Sequence, residues 1–146
     1  MIHVDTNVLI RFSKQADPGH GIALAAIHKL QANREVLVIF PQTLYEFWAV
    51  ATRPLNVNGL GWTTPMCETR IAELKPLFRF LPDPPGLYDT WQRLVVAHDC
   101  KGKVAHDTRL VAAMQLHGID RILTFNVADF AGFSAITVVE PASVAP

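Results

Sequence analysis

The sequence predicts an α/β fold, a mainly parallel sheet with helices on both faces. Three observations carry that expectation. Short strand-type apolar runs alternate with longer segments of helical period along the chain. The run Val36-Leu37-Val38-Ile39-Phe40, between Glu35 and Pro41, is apolar at every position, as in a strand covered on both faces. No linker, internal repeat or low-complexity stretch interrupts the alternation, so the 146 residues are expected to form one domain, 1–146.

Ile2-His3-Val4 is a short β-prone run that stops at Asp5-Thr6-Asn7, residue types that cap helices. Val8, Leu9 and Phe12 then mark a first helix, and Asp17-Pro18-Gly19 a turn. Ala23, Ile27 and Leu30, at i, i+4 and i+7, predict a helix over 21–32. After the strand at 36–40, Pro41 suits a helix start, and Leu44, Phe47, Trp48 and Ala51 give its apolar period up to Arg53-Pro54. Residues 54–64 read as a loop, with Thr64-Pro65 and Glu68 opening a helix through Ile71 and Leu74. Phe78 to Leu81 predicts a short strand before the break Pro82-Asp83-Pro84-Pro85-Gly86. Leu87, Trp91, Leu94 and Val95 mark a helix closed near Gly102, and Val104, Asp107, Leu110, Val111 and Met114 one ended by Gly118. Arg121 to Thr124 and Ile136 to Val139 complete the strands.

Composition narrows the function. Half the residues are hydrophobic and 18% are charged, which excludes a disordered chain and a coiled coil. Thirteen basic residues balance thirteen acidic ones, so the protein does not act by coating nucleic acid with charge. A nuclease remains open, because a cleft of carboxylates cancels basic residues on its rim. Two cysteines without C-x-x-C spacing argue against a disulfide scaffold or zinc site and favour a cytoplasmic location. The opening residues carry no basic run and reach Asp5 at once, so no secretory leader is expected, nor is any apolar run long enough for a membrane span.

Four acidic positions stand out, each with two readings. Asp5 ends the first strand, where ligands bind in an open α/β sheet, although it or Thr6 also suits a helix cap. Asp107 shares the helical face of Leu110, Val111 and Met114, where a carboxylate is costly unless paired or bound to a cation. Its plain alternative is a bond to Lys103, His106 or the first turn. Glu46 lies among Tyr45, Phe47, Trp48, Ala49, Val50 and Ala51, with little room to face water unless it pairs with Arg53 or sits at an edge. Asp129, with Asn126, follows the strand ending at Thr124 and fits either a turn or a site. Carboxylates gathered from four segments repel one another unless a hard divalent cation intervenes, and oxygen-only ligands suit Mg²⁺ or Mn²⁺. None of the six histidines has ligand spacing, and His106 alone adjoins a candidate acid. Trp48, Trp62 and Trp91 are expected in the core or an interface.

These segments carry a family resemblance. Val4-Asp5-Thr6-Asn7-Val8-Leu9-Ile10 resembles the opening motif of the PIN domain family, as in VapC-type toxins. Tyr45-Glu46-Phe47 with Ala51-Thr52-Arg53-Pro54 is similar to its second acidic helix, and His106 to Ala113 to its third. Leu123-Thr124-Phe125-Asn126-x-x-Asp129-Phe130 resembles its closing motif. The four occur in order across nearly the whole chain. The resemblance implies a three-layer α/β/α sandwich and a metal-dependent endoribonuclease, the toxin of a toxin–antitoxin pair, with Asp5, Glu46 and Asp107 as the core acids. Where the family often has a further Asp, this chain has Asn126, which leaves Asp129 to supply charge and puts a second metal ion in question. Thr6, Thr124 and Asn126 are candidates for orienting ligands or water, and Arg11, Arg53, Lys103 and Arg109 for steering RNA. A small antitoxin is the expected protein partner, with much of its groove in residues 54–102. The family commonly forms homodimers, and the sequence leaves the oligomeric state open.

The alternative function is a PIN-fold RNA-binding or interaction module with weakened catalysis, which Asn126 motivates and the three retained acids oppose. A dehalogenase-like phosphotransferase fails because the Asp expected two residues after Asp5 is Asn7, and a dinucleotide enzyme because no G-x-G-x-x-G follows a strand.

Overall fold

The computed structural model describes residues 1–144, so the last two positions of the expected 1–146 domain lie outside it. In chain order its elements are β1 (Ile2–Val4), α1 (Thr6–Ser13), α2 (His20–Ala32), β2 (Leu37–Ile39), α3 (Pro41–Thr52), α4 (Thr64–Leu74), β3 (Arg79–Phe80), α5 (Leu87–Ala97), α6 (Val104–Leu116), β4 (Arg121–Leu123), α7 (Val127–Phe130), β5 (Thr137–Val139) and α8 (Pro141–Val144). Single 3₁₀ turns at Leu55–Val57 and Lys75–Leu77 interrupt the connections.

The five strands form one parallel sheet in the order β3-β2-β1-β4-β5. Ile2 pairs with Leu37 on one side of β1, and Val4 with Leu123 on the other. From β1 the chain moves outward to β2 and β3, then returns across β1 to β4 and β5. The strand order therefore reverses between β1 and β4, which makes their carboxyl ends the topological switch point where such sheets bind ligands.

Strand β2 shows why the sheet is buried on both sides. Leu37 and Ile39 join a core with Val8, Leu9, Ile27, Phe47 and Leu74 under α1 to α4. Val38 and Phe40 point the other way, into Leu110, Met114, Ile122 and Phe130 under α6 and α7. Period-two alternation thus feeds two apolar layers and gives the three-layer α/β/α sandwich. His3 of β1 is fully buried in the second layer, stacked on Phe40 at 4.6 Å, with Nδ1 against the Val38 carbonyl at 3.2 Å. Burial lowers its pKa to about 4, so it stays neutral.

Some boundaries differ from the sequence expectation. The cap of α4 is Thr63 rather than Thr64, because the Thr63 hydroxyl accepts from the Met66 amide. Helix α5 stops at Ala97 rather than near Gly102, where Asp99 turns at φ 48° and the Cys100 amide bonds back to Val95. Helix α3 is not apolar all round: Tyr45 is 67% exposed and Trp48 and Ala49 also face outward. Strand β3 is a two-residue exposed edge, and the four-residue α7 and α8 are too short to show a period in sequence. Cys67 and Cys100 are free thiols. Among the described residues no helix is long and apolar enough to cross a membrane.

Candidate active site

Asp5 leaves the end of β1 and fills both roles that its sequence position allowed. Its Oδ1 accepts the Thr6 amide at 2.8 Å and caps α1, while Oδ2 faces β4. There Oδ2 accepts from the Thr124 hydroxyl at 2.8 Å and from the Asn7 side-chain amide at 3.0 Å. The Asp5 amide itself donates to the Leu123 carbonyl, so the sheet register fixes the carboxylate at the switch point.

Thr124 is fully committed. Its one proton goes to Asp5, and its oxygen accepts from the Asn7 side chain and the Asn126 amide, each at 3.0 Å. Asn7 in turn accepts the Phe125 amide on Oδ1 at 3.0 Å. Thr124 and Asn7 together tie α1 to the loop after β4 and place Asn126 on the rim.

Glu46 is half-buried in α3, and no ion pair joins it to Arg53 among the described residues. Its Oε2 accepts the Thr6 hydroxyl at 3.0 Å, and its Oε1 the Gln42 side chain at 2.8 Å. Gln42 also donates to the His106 carbonyl of α6 at 3.0 Å and accepts from Arg109 at 2.8 Å. One buried amide thus joins the helix of Glu46 to the helix of Asp107. Sequence reasoning missed Gln42; the one available signal was its place four residues before Glu46 on the same helical face.

Asp107 sits half-buried in the first turn of α6 without an ion pair to Lys103. Asp129 stands exposed on α7. These two, with Asp5, Thr6, Glu46, Asn126, Arg11, Arg53 and Lys103, line one cleft of about 650 Å³. Thr124 lies behind Asp5 rather than on the cleft wall. Arg11 is already engaged, with Asp17 at 3.7 Å and its guanidinium 4.0 Å from the centre of the Phe125 ring. Arg109 is not in the cleft. It lies two residues from Asp107, about 200° around α6, and pairs with Asp83 at 2.7 Å.

Electrostatics binds the acids together. Burial raises the Asp5 carboxyl to about 6, against the pull of its Thr124 and Thr6 hydrogen bonds, with Glu46 and Asp129 adding repulsion. Burial likewise raises Asp107 to about 6, helped by the negative charges of Asp129, Asp5 and Glu46 and opposed by Lys103. Both residues therefore carry an unmet demand for positive charge in the cleft. Among the described residues no three His, Cys, Asp or Glu side chains close into a ready-made metal cage. An open, oxygen-only acidic wall of this kind fits a hydrated hard cation, which keeps several waters and takes one or two carboxylates, better than it fits zinc.

Known proteins share this arrangement of elements. A family model described as PIN domain matches residues 2–135. Ribonuclease VapC24 of Mycobacterium tuberculosis is 24% identical over 147 residues, spanning 97% of each chain. The crystal structure of Mycobacterium tuberculosis VapC20, a sarcin-ricin-loop-cleaving toxin, superposes with a TM-score of 0.67 at 21% identity, over 91% of this chain and 95% of that one. VapBC2 from Rickettsia felis, bound to a DNA fragment from its promoter, gives a TM-score of 0.70 at 11% identity, over 96% of this chain and 98% of its own. At such identities the superpositions speak for the fold.

Proposed function

The chain belongs to the PIN domain family, and from that premise we propose that it is a metal-dependent endoribonuclease, the toxin of a toxin–antitoxin pair. One observation supports this reading above the others: Asp5, Glu46, Asp107 and Asp129, from four separate segments, line a single cleft at the switch point of the sheet. The ribonuclease and toxin–antitoxin parts come from the relatives, named as a ribonuclease, a sarcin-ricin-loop-cleaving toxin and, for a protein of Klebsiella pneumoniae, a toxin–antitoxin complex.

In this reading Asp5, Glu46 and Asp107, with Asp129, hold Mg²⁺ or Mn²⁺. Such an ion supplies Lewis acidity toward a phosphodiester and its attacking water. The chain's own residues prepare the place. Thr124 and the α1 amide fix both oxygens of Asp5, Thr6 and Gln42 fix both oxygens of Glu46, and Asn126 offers a side-chain amide on the rim. Arg53 and Lys103, exposed at the cleft edge without ion pairs among the described residues, are the cations best placed to meet the RNA backbone. A second groove, of about 720 Å³, runs between Phe12, His20 and Leu24 on one side and Trp62, Met66 and Arg70 on the other. We place the antitoxin's apolar segment there, partly within the expected 54–102 stretch.

The competing reading, a binding module with weakened catalysis, rests on Asn126. Asp129 lines the same cleft and lowers the weight of that substitution. The test is cleavage of structured RNA with Mg²⁺ or Mn²⁺, in EDTA, and by Asp107→Asn purified in parallel. Metal-dependent cleavage lost in the variant supports the enzyme, and cleavage that persists in EDTA and in the variant rejects it.

A further inference from the structure

A third cavity adjoins the acidic cleft, on the far side of α6. It encloses about 620 Å³ between the first turns of α5 and α6 and the loop after β3. Pro84, Leu87, Tyr88 and Trp91 give it apolar walls, and Asp83 and Arg109 stand at its polar edge. His106 lines both this pocket and the acidic cleft, so the two adjoin at that residue.

Its aromatics are arranged for a flat ligand. Trp91 is held by a 2.7 Å bond from Nε1 to the Ala105 carbonyl, which satisfies its polar handle and leaves the ring as a fixed apolar wall. Tyr88 lies beside it, ring centres 5.7 Å apart and planes tilted by 42°, yet is 66% exposed. Arg109 and Asp83, paired at 2.7 Å, present a fixed donor and acceptor, the two groups needed at the edge of a heterocycle. Arg109 also bonds Gln42, which holds Glu46, so one amide links the pocket to the acids.

We propose that this pocket binds a nucleobase of the RNA strand lying in the acidic cleft, stacked on Tyr88, and so helps to choose the bond that is cut. The proposal rests on the ribonuclease reading above. Of the cations lining the acidic cleft, Arg11 is paired with Asp17, which leaves few phosphate contacts there, so stacking on base faces adds to the affinity for the strand. Adjacency at His106 favours the strand already in the cleft over an unrelated ligand. Trp91, half-buried on α5, forms the wall behind an exposed tyrosine.

The test pairs Tyr88→Ala and Tyr88→Phe with a short single-stranded RNA that the wild type cuts at one bond, and with copies made abasic at each flanking position in turn. Tyr88 is exposed, and matched melting curves establish that the variants fold. One abasic position should raise the wild-type KM roughly five- to a hundredfold with kcat unchanged. Tyr88→Ala should show that higher KM on intact RNA and no further abasic penalty, while Tyr88→Phe behaves as wild type. An abasic penalty equal in wild type and Tyr88→Ala overturns the pocket. So does loss of a dimer in Tyr88→Ala with RNA kinetics unchanged, which would make the pocket an interface between two copies. If the wild type cuts no RNA, the ribonuclease reading fails by itself. Fluorescence anisotropy of a short single-stranded RNA and its abasic copies then still tests the base site: equal affinities reject it, and an abasic loss that disappears in Tyr88→Ala supports it.

Discussion

Thr124 donates its hydroxyl proton to Asp5 at 2.8 Å across the junction of β4 and β1, and among the described residues no other side chain reaches so far along the sequence to hold a cleft acid. Because that bond favours the charged carboxylate, removing it should raise an already elevated pKa. Thr124→Val keeps the shape while leaving the Asn126 amide and the Asn7 side chain short of an acceptor. The expected cost is about 1–3 kcal/mol in stability. The acid limb of the cleavage pH profile should move to higher pH. Denaturant melts and a pH–rate series check both, and an unmoved acid limb contradicts the role given to Thr124.

Gln42 makes a similar claim within the helices. Gln42→Leu should cut metal affinity or turnover roughly 10- to 100-fold, as removal of groups that orient ligands commonly does. Among the described residues its Nε2 is the only donor that reaches both Glu46 and the α6 backbone. Magnesium titrations of cleavage read the effect, and unchanged metal dependence would reduce Gln42 to packing.

The pH dependence of stability has a definite sign. Asp5 and Asp107 titrate near 6 in the metal-free fold and near 4 unfolded, so the native state binds protons more tightly. The stabilisation they give is complete below their unfolded values and is lost as pH rises through about 6. His3 works the other way: lowered to about 4, it contributes stability above its unfolded value that falls away on acidification. The two trends overlap, so wild-type melting alone does not separate them. Comparison with Asp107→Asn does. The variant's advantage in melting temperature should grow as pH rises from acid to neutral, and an advantage that is constant with pH contradicts the raised carboxyl.

Inhibition by a partner has a predicted chemistry as well. A guanidinium fork matches paired carboxylates and competes with a metal ion. The bound antitoxin should place an Arg among Asp5, Glu46 and Asp107, and its Arg→Ala variant should inhibit less. A complex that leaves these acids open to solvent contradicts this mode.

Much of this was legible in sequence, for identifiable reasons. Strand β2 was legible because both of its faces are apolar, and Asp5 because it ends a buried strand where ligands bind in such sheets, although its position alone did not separate that role from the helix cap it also forms. Asp107 stood out on an apolar helical stripe, and in the fold it lies half-buried on the cleft wall. Gln42 was hidden because an amide in the first turn of a helix ordinarily faces water, and only the fold brings the His106 carbonyl and Arg109 of α6 to it. Arg109 lies outside the cleft because two residues along a helix from Asp107 lead to the opposite side, a turn that becomes visible only once the helix is placed. The exposed side of α3 went unseen because Tyr45, Trp48 and Ala49 count as apolar by type while the sheet leaves them uncovered.

The central claim is that the carboxylates of the cleft converge to hold a cation rather than to hold the fold. Melting curves of wild type and Asp107→Asn, with and without millimolar Mg²⁺ at neutral pH, test it most directly. Without metal, Asp107→Asn should melt higher, because it relieves the repulsion that raises both carboxyls. Added Mg²⁺ should stabilise the wild type by mass action and the variant much less. If Asp107→Asn melts lower than wild type without metal and both respond equally to Mg²⁺, Asp107 is a structural partner and the account of the cleft is wrong.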